Sequence, residues 1–269
     1  MAASFADEGD PWGGARAPDG RAAVSDDAFL GGGLRVMQPE HGYRAGLDAV
    51  LLAAATPGAS GERWLDAGAG VGVAALCFAW RVAGVSIVCL DNDAAACDLA
   101  RRNAGRNALS DRVTVREGDI FSPPHDLARG DFDGVLTNPP FFDDVSRMRV
   151  PAGGKRAAFV EEDGDVATWL QACLKRVRPG GRLVFIHRAD RLGDALNALK
   201  GRAGDIWITP LWPMQGRPAK RILITARKGA HGDATLSAGV VLHESQSAGR
   251  APFTPLIEAV MRRGAALPA

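Results

Sequence analysis

The stretch RWLDAGAGVG, residues 63–72, changes character halfway along. Its first half is an apolar run of the kind that forms a buried strand. Its second half sets glycines at every other position, Gly68, Gly70 and Gly72, behind Asp66. VGVAALCFAWRVAG follows, and reads as a helix. A strand, a glycine turn and a helix make the opening of a βαβ unit. The same alternation continues downstream. VSIVCLD (85–91) is a second strand. DAAACDLARRNAGRNAL (93–109) is a helix with Asp93 as N-cap and Ala96, Leu99, Ala100 and Ala104 on one face. A third strand falls at 112–119, where Val113 and Val115 alternate with polar residues, and a fourth at 132–138. A helix at 165–181 is expected to end at Pro179-Gly180-Gly181. A fifth strand (182–188) and a helix (190–201) follow. Two last strands, 205–212 and 220–229, have no helix between them and are expected to pair antiparallel, with Trp207 and Trp212 packed beneath them. The fold class is therefore α/β: a mostly parallel sheet with helices on both faces and an antiparallel last strand.

The remaining composition fits one such domain. Of 269 residues, 46% are hydrophobic and 23% charged, which is ordinary for a globular protein with an ample core. Cys77, Cys89, Cys97 and Cys173 show neither a CxxC pair nor metal spacing, and are expected to pack as reduced, small hydrophobes in a cytoplasmic protein. No apolar run approaches a membrane span, and the acidic start MAASFADEGD, with no apolar stretch, is not expected to act as a secretory signal. Residues 1–28 carry six acids and two bases, net −4, so the rest of a chain of net charge +1 carries +5. The expected organisation is a disordered acidic tail over 1–28, then a single domain over 29–269 whose first part, about 34–60, is a short N-terminal extension.

In open sheets of this type the ligand lies beyond the carboxyl ends of the strands. Asp66 with Gly68, Gly70 and Gly72 forms G-x-G-x-G after an acid, not the G-x-G-x-x-G of nicotinamide enzymes. A carboxylate there repels a pyrophosphate and attracts an ammonium or sulfonium group. Asp91 ends the second strand 19 positions past Gly72, which suits contact with ribose hydroxyls. Asp119 in EGDIF can accept from an exocyclic amine of adenine, with Ile120 and Phe121 flanking the ring; a solvated turn acid is the alternative. Together these residues resemble the Rossmann-like class I methyltransferases that use S-adenosyl-L-methionine (SAM), whose sheet is seven-stranded with an antiparallel last strand. The resemblance, over about residues 60–230, implies SAM as cofactor and S-adenosylhomocysteine as product, with no metal required.

The fourth strand delivers TNPPFF, residues 137–142, to the same rim. The side-chain oxygen of Asn138 and the carbonyl of Pro139 can accept the two N–H bonds of a planar amine, and the Pro139-Pro140 pair fixes the direction of that carbonyl. Phe141 can lie against the planar group, with Phe142 beside the substrate. Such an arrangement aims a poor nucleophile and needs no general base; alignment is worth up to roughly 7–11 kcal/mol. NPPF here resembles the motif of amino-methyltransferases acting on adenine N6, guanine N2 or glutamine. QPEHGYRAGLDAVLLAAATP (38–57), TNPPFF and KRILITARKG (220–229) narrow the resemblance to the bacterial family of valine-tRNA adenine-N6 methyltransferases, over about residues 34–229. That resemblance implies RNA as partner, tRNA first, with an adenine of the anticodon loop as target. It also implies a place for Asp48 near the methionine end of SAM, although Asp48 equally suits the N-cap of the AVLLAAA helix. The chain departs from that family in its acidic N-terminal tail and in RAGLDA, where a threonine is expected before the aspartate.

Two acid-free segments fit a polyanionic partner. Arg147, Arg149, Lys155 and Arg156 lie directly after the NPPF motif, and Lys220 and Arg221 fall with Arg217, Arg227 and Lys228 in 214–230. Ordinary solvated faces are the alternative. The five histidines have neither metal nor triad spacing. A monomer is expected. The competing functions are protein-glutamine methylation, guanine-N2 methylation of rRNA and an inactive SAM- or RNA-binding module.

Overall fold

The structure is a computed structural model that describes residues 23–41, 44–140, 166–245 and 251–268. Its elements are β1 (Val24–Phe29), β2 (Leu34–Pro39), α1 (Leu47–Ala55), β3 (Arg63–Ala67), α2 (Val73–Arg81), β4 (Ser86–Asp91), α3 (Ala94–Arg106), β5 (Val113–Glu117), β6 (Phe132–Thr137), α4 (Val166–Arg176), β7 (Val177–Arg188), α5 (Leu192–Leu199), β8 (Ala203–Trp212), β9 (Arg221–Lys228), β10 (Thr235–Leu236), β11 (Val240–Val241) and α6 (Pro255–Arg263).

The main sheet runs β10-β8-β9-β7-β6-β3-β4-β5, with β11 also on β8. β5, β4, β3, β6 and β7 are mutually parallel, and β9 is antiparallel to both β7 and β8. These seven strands are the expected sheet. The two short strands that join β8 in parallel bring it to nine. Residues alternate between two cores. Trp64, Ile87, Cys89, Leu136 and Val184 face α1, α2, α3 and α6, whereas Leu65, Val88, Leu90, Val135 and Phe185 face α4 and α5. All four cysteines are buried and unbridged, as expected.

Local signals explain most boundaries. Asp93 caps α3, its Oδ1 accepting from Ala95 N at 2.9 Å and Ala96 N at 3.3 Å. Three expectations need correction. Residues 24–28 are not tail: Val24–Phe29 pairs with Leu34–Pro39 as a hairpin. Its acids are neutralised, Asp26 by Arg35 and Arg106 and Asp27 by Arg44. Residues 1–22 of the expected tail lie outside the described residues. The helix before β7 ends at Arg176, and Pro179-Gly180-Gly181 sits in a bulge of the following strand, where the register jumps between Phe132↔Val177 and Gly134↔Arg182. Trp207 and Trp212 are not beneath the last strands: Trp207 is 36% exposed and Trp212 half-buried. No helix among the described residues is long and apolar enough to cross a membrane.

Candidate active site

β3 and β6 are neighbours, and Ala67 pairs with Thr137. The residues that follow, Gly68 and Asn138, therefore leave adjacent strand ends side by side. Thr137 is fully buried, and its hydroxyl donates to Ala67 O at 2.7 Å. The Thr137 hydroxyl oxygen in turn accepts from the indole N–H of Trp169 at 3.0 Å. Trp169 comes from α4, and its ring meets Phe121 edge to face at 5.9 Å. A Cβ on Gly68 would lie 3.0 Å from the Trp169 ring, and Gly68 has φ +71°. Glycine is thus required there twice over, by backbone conformation and by the indole. Trp169 joins the glycine loop, the base of the Asn-Pro-Pro segment and the Phe121 turn. Sequence reasoning missed it, since a lone tryptophan on an amphipathic helix looks like core.

Four amides of the glycine loop are turned to acceptors within the protein. The N–H groups of Gly68 and Ala69 donate to Leu90 O at 2.9 and 3.2 Å, that of Gly72 to Ala69 O at 2.9 Å, and that of Gly70 to Asp91 Oδ2 at 2.7 Å. These donors are engaged within the protein and do not form the open phosphate cradle of a dinucleotide loop. Asp91 also accepts from Asp93 N at 2.9 Å. A carboxylate offers about four acceptor positions, so these backbone contacts leave acceptor capacity for a ligand hydroxyl. Burial raises the Asp91 pKa, against hydrogen bonds from the Asp93 and Gly70 backbones.

Asp66 differs from expectation. It is 2% exposed and lies under the loop, where Oδ2 accepts from Ala75 N in α2 at 3.1 Å. Its carboxylate ties the loop to the helix and does not stand on the open rim. Burial raises its pKa to about 7, with the Ala75 hydrogen bond opposing and the Asp91 charge adding to the shift. Asp119 forms a turn in which Oδ1 accepts from Phe121 N at 3.0 Å; Ile120 is buried and Phe121 partly exposed. Asp48 is in the first turn of α1, whose N-cap residue is Gly46, so the capping alternative is corrected. Asp48 instead pairs with Arg221, Nε to Oδ2 3.0 Å, joining an expected cofactor residue to an expected substrate residue.

The rim is polarised. Asp91 and Glu117 end β4 and β5 on one side of Asn138. On the other side β7 ends in Arg188, which pairs with Arg221 at the start of antiparallel β9, next to exposed Lys220. Arg227 pairs with Arg182 at the opposite end of the sheet, and its Nε donates to Gly180 O at 3.1 Å; Lys228 donates to Val177 O at 2.6 Å. Neither reaches the rim. His187 is buried beside Arg221, Arg188 and Arg191, and burial, then those charges, lower its pKa to about 4. Asn138 is half-buried, Pro139 buried and Pro140 exposed. Phe141, Phe142, Arg147, Arg149, Lys155 and Arg156 lie outside the described residues. Among the described residues no cluster of three His, Cys, Asp or Glu side chains could hold a metal.

The strand order, the antiparallel β9 and the glycine loop after β3 define a class I SAM-dependent methyltransferase. Comparison with known proteins agrees. The family described as Methyltransferase small domain matches residues 46–152. A tRNA1(Val) (adenine(37)-N6)-methyltransferase of Porphyromonas gingivalis is 33% identical over 187 residues, 67% of this chain and 72% of that protein. The chain belongs to that family of methyltransferases. A release factor glutamine methyltransferase of Chlorobaculum tepidum is 30% identical over 168 residues, 59% of this chain and 56% of that protein. A solved structure of a predicted O-methyltransferase from Agrobacterium tumefaciens matches with TM-score 0.66 and 26% identity, covering 82% of this chain and 98% of that one.

Proposed function

We propose that this enzyme methylates the N6 amine of an adenine in RNA, with an anticodon loop of tRNA as its substrate. The observation that carries the reading is the position of Asn138-Pro139 on the seam of the rim. It adjoins the glycine loop through the Ala67↔Thr137 pair and separates a carboxylate side from a cationic side. The carboxylate side suits SAM: Asp91 toward ribose hydroxyls, Asp119 with Ile120 and Phe121 toward adenine, with Asp66 holding the glycine loop from beneath; Asp48, across the rim beside Arg221, is assigned toward the methionine end. Bound there, SAM supplies an electrophilic methyl group on a sulfonium.

The cationic side suits a phosphate backbone, and an anticodon loop offers unstacked bases that leave it at low cost. Asn138 Oδ1 and the Pro139 carbonyl accept the two hydrogens of the adenine amine. That draws the nitrogen towards tetrahedral geometry and points its lone pair at the methyl carbon. The amine forms the N–C bond as the S–C bond breaks, then releases a proton to water. Trp169 and Thr137 keep the acceptor pair in register with the glycine loop. Phe141 stacks on the base in this reading, with Phe142 and the bases of 147–156 around it.

The test is transfer of labelled methyl from SAM to bulk tRNA lacking the modification, followed by nucleoside analysis. The expected product is N6-methyladenosine; N2-methylguanosine would move the target to guanine. The likeness to a glutamine methyltransferase supports a second reading, and label in protein but not in RNA would favour it.

A further inference from the structure

The rim continues past Arg221. β8 ends at Trp212, and the turn 213–220 returns the chain to β9. At this turn lies an open groove of about 530 Å³, lined by Trp212, Gln215, Arg217, Pro218, Ala238 and Val241 among others. Its size is within the roughly 300–1,000 Å³ of small-ligand sites. Trp212 is held in place from two sides. Its indole N–H donates to Ala238 O at 3.1 Å, and its backbone is paired to Val241 of β11. With the N–H engaged, the ring offers a face. Gln215 and Arg217 are exposed, so an amide and a guanidinium stand beside that face. The turn contains no acid. Arg188, Arg191 and Arg221 each have a carboxylate partner, whereas Arg217 and Lys220 have none among the described residues.

We propose that this groove holds an unpaired nucleobase of the substrate RNA, a few nucleotides from the methylated adenine. The base stacks on Trp212 and its phosphates lie along Arg217 and Lys220. This rests on the RNA reading above. The path is short: from β6 through β7 and β9 to β8 is three strand spacings, about 14 Å. A single strand crossing those ends passes Arg188 and Lys220 on the way. Stacking on an aromatic face with a cation at the phosphate is the general mode of single-strand binding, and Gln215 adds hydrogen bonds to a base edge.

The experiment compares a short oligoribonucleotide holding the target adenine with longer ones extended on either side. The proteins are wild type, Trp212→Leu, Trp212→Phe and Arg217→Ala. Wild type is expected to bind one of the longer RNAs more tightly. Trp212→Leu should raise KM for that RNA roughly tenfold, leaving kcat, SAM affinity and the short RNA unchanged. Trp212→Phe keeps a ring but loses the N–H bond to Ala238 O, so rescue by Phe assigns the effect to stacking. Equal losses in Leu and Phe would assign it to a loosened edge of β8 and overturn the proposal, as would an unchanged KM in Trp212→Leu and Arg217→Ala. Photocrosslinking of iodouridine-containing RNA separates this from the chemistry. A crosslink at Trp212 without methylation leaves the groove standing and sinks the catalytic reading; methylation without a crosslink does the reverse. Self-association lost in Trp212→Leu, with RNA binding unaffected, would make the groove a protein contact and also overturn it.

Discussion

Asn138 and Asp66 are adjacent in function yet should respond to substitution in opposite ways. Asn138 touches the reacting amine in the proposed mechanism. Asn138→Ala removes one of two oriented acceptors and should lower kcat by roughly 10²–10³, the range found for a single stabilising hydrogen bond at a reacting centre. SAM affinity should hold, because the glycine loop and Asp91 do not depend on that side chain. Calorimetric SAM titration beside single-turnover transfer checks both, and unchanged turnover removes Asn138 from the mechanism. Asp66 touches no substrate and should show itself through pH. Its folded pKa is about 7 against an ordinary 3.8, because burial disfavours the ion. Between those values the folded protein keeps a proton that the unfolded chain has lost. Its contribution to stability therefore falls as pH rises from about 4 to about 7 and then levels. A cationic ligand above the loop favours the ionised form, so SAM affinity should rise as pH passes through about 7. Asp66→Asn keeps an acceptor for Ala75 N and should abolish both slopes. Melting curves and SAM titrations across that window test this, and equal slopes in the two proteins would refute it.

At the scale of elements, α4 matters because Trp169 fastens it to β6 and to the loop after β3. Trp169→Phe keeps the packing against Phe121 but deletes the N–H bond to Thr137. The expected cost is about 1 kcal/mol, or a drop in Tm of about 2–4 °C. The larger effect should fall on kcat, through a loosened Asn138, with SAM affinity moved less. A kcat at the wild-type level despite the lower Tm would leave Trp169 purely structural. The hairpin β1–β2 has its own fastening. Asn103 of α3 is fully buried; Oδ1 accepts from Met37 N at 2.8 Å, and Nδ2 donates to Met37 O at 3.0 Å and Val71 O at 3.1 Å. Asn103→Ala strands three backbone groups and should cost about 1–3 kcal/mol, read in a denaturant melt. Neither fastening could be read from the chain, while the elements they join mostly could. Asp93 as a cap, the alternation in β3 to β6 and the glycine spacing are local patterns, and local physics fixes them. Trp169 finds Gly68 and Thr137 only once β3 and β6 are neighbours. Asp26 and Asp27 look like tail until Arg35, Arg44 and Arg106 arrive from elsewhere. The strand at Val177 forms before Pro179-Gly180-Gly181 because pairing with β6 starts at Phe132, which overrides the local signal to stop.

For the whole molecule, the small net charge conceals a division of labour. Carboxylates end β4 and β5, whereas Arg188 and Arg221, each paired with a carboxylate, and Lys220 stand at the ends of β7 and β9, so under the proposed function a cationic cofactor and an RNA meet different parts of one rim. RNA binding should therefore weaken steeply with salt while SAM binding changes little, since only the former displaces counterions from a phosphate chain. Residues 1–22 are expected to enter this balance through their charge. They carry Asp7, Glu8, Asp10 and Asp19 against Arg16 and Arg21, so removing them takes the net charge from +1 to +3. Beyond the contacts at the site, the field of the whole protein sets how strongly an RNA is drawn to it. A protein beginning at residue 23 keeps β1 intact. It should bind RNA severalfold more tightly at low salt, and no differently near 1 M, where the Debye length is about 3 Å. Its SAM affinity should match the full chain. RNA dissociation constants for both proteins across a salt series make the test. If the truncated protein binds RNA more weakly, or if the gap persists at high salt, the acidic segment acts by contact and the electrostatic account of this molecule is wrong.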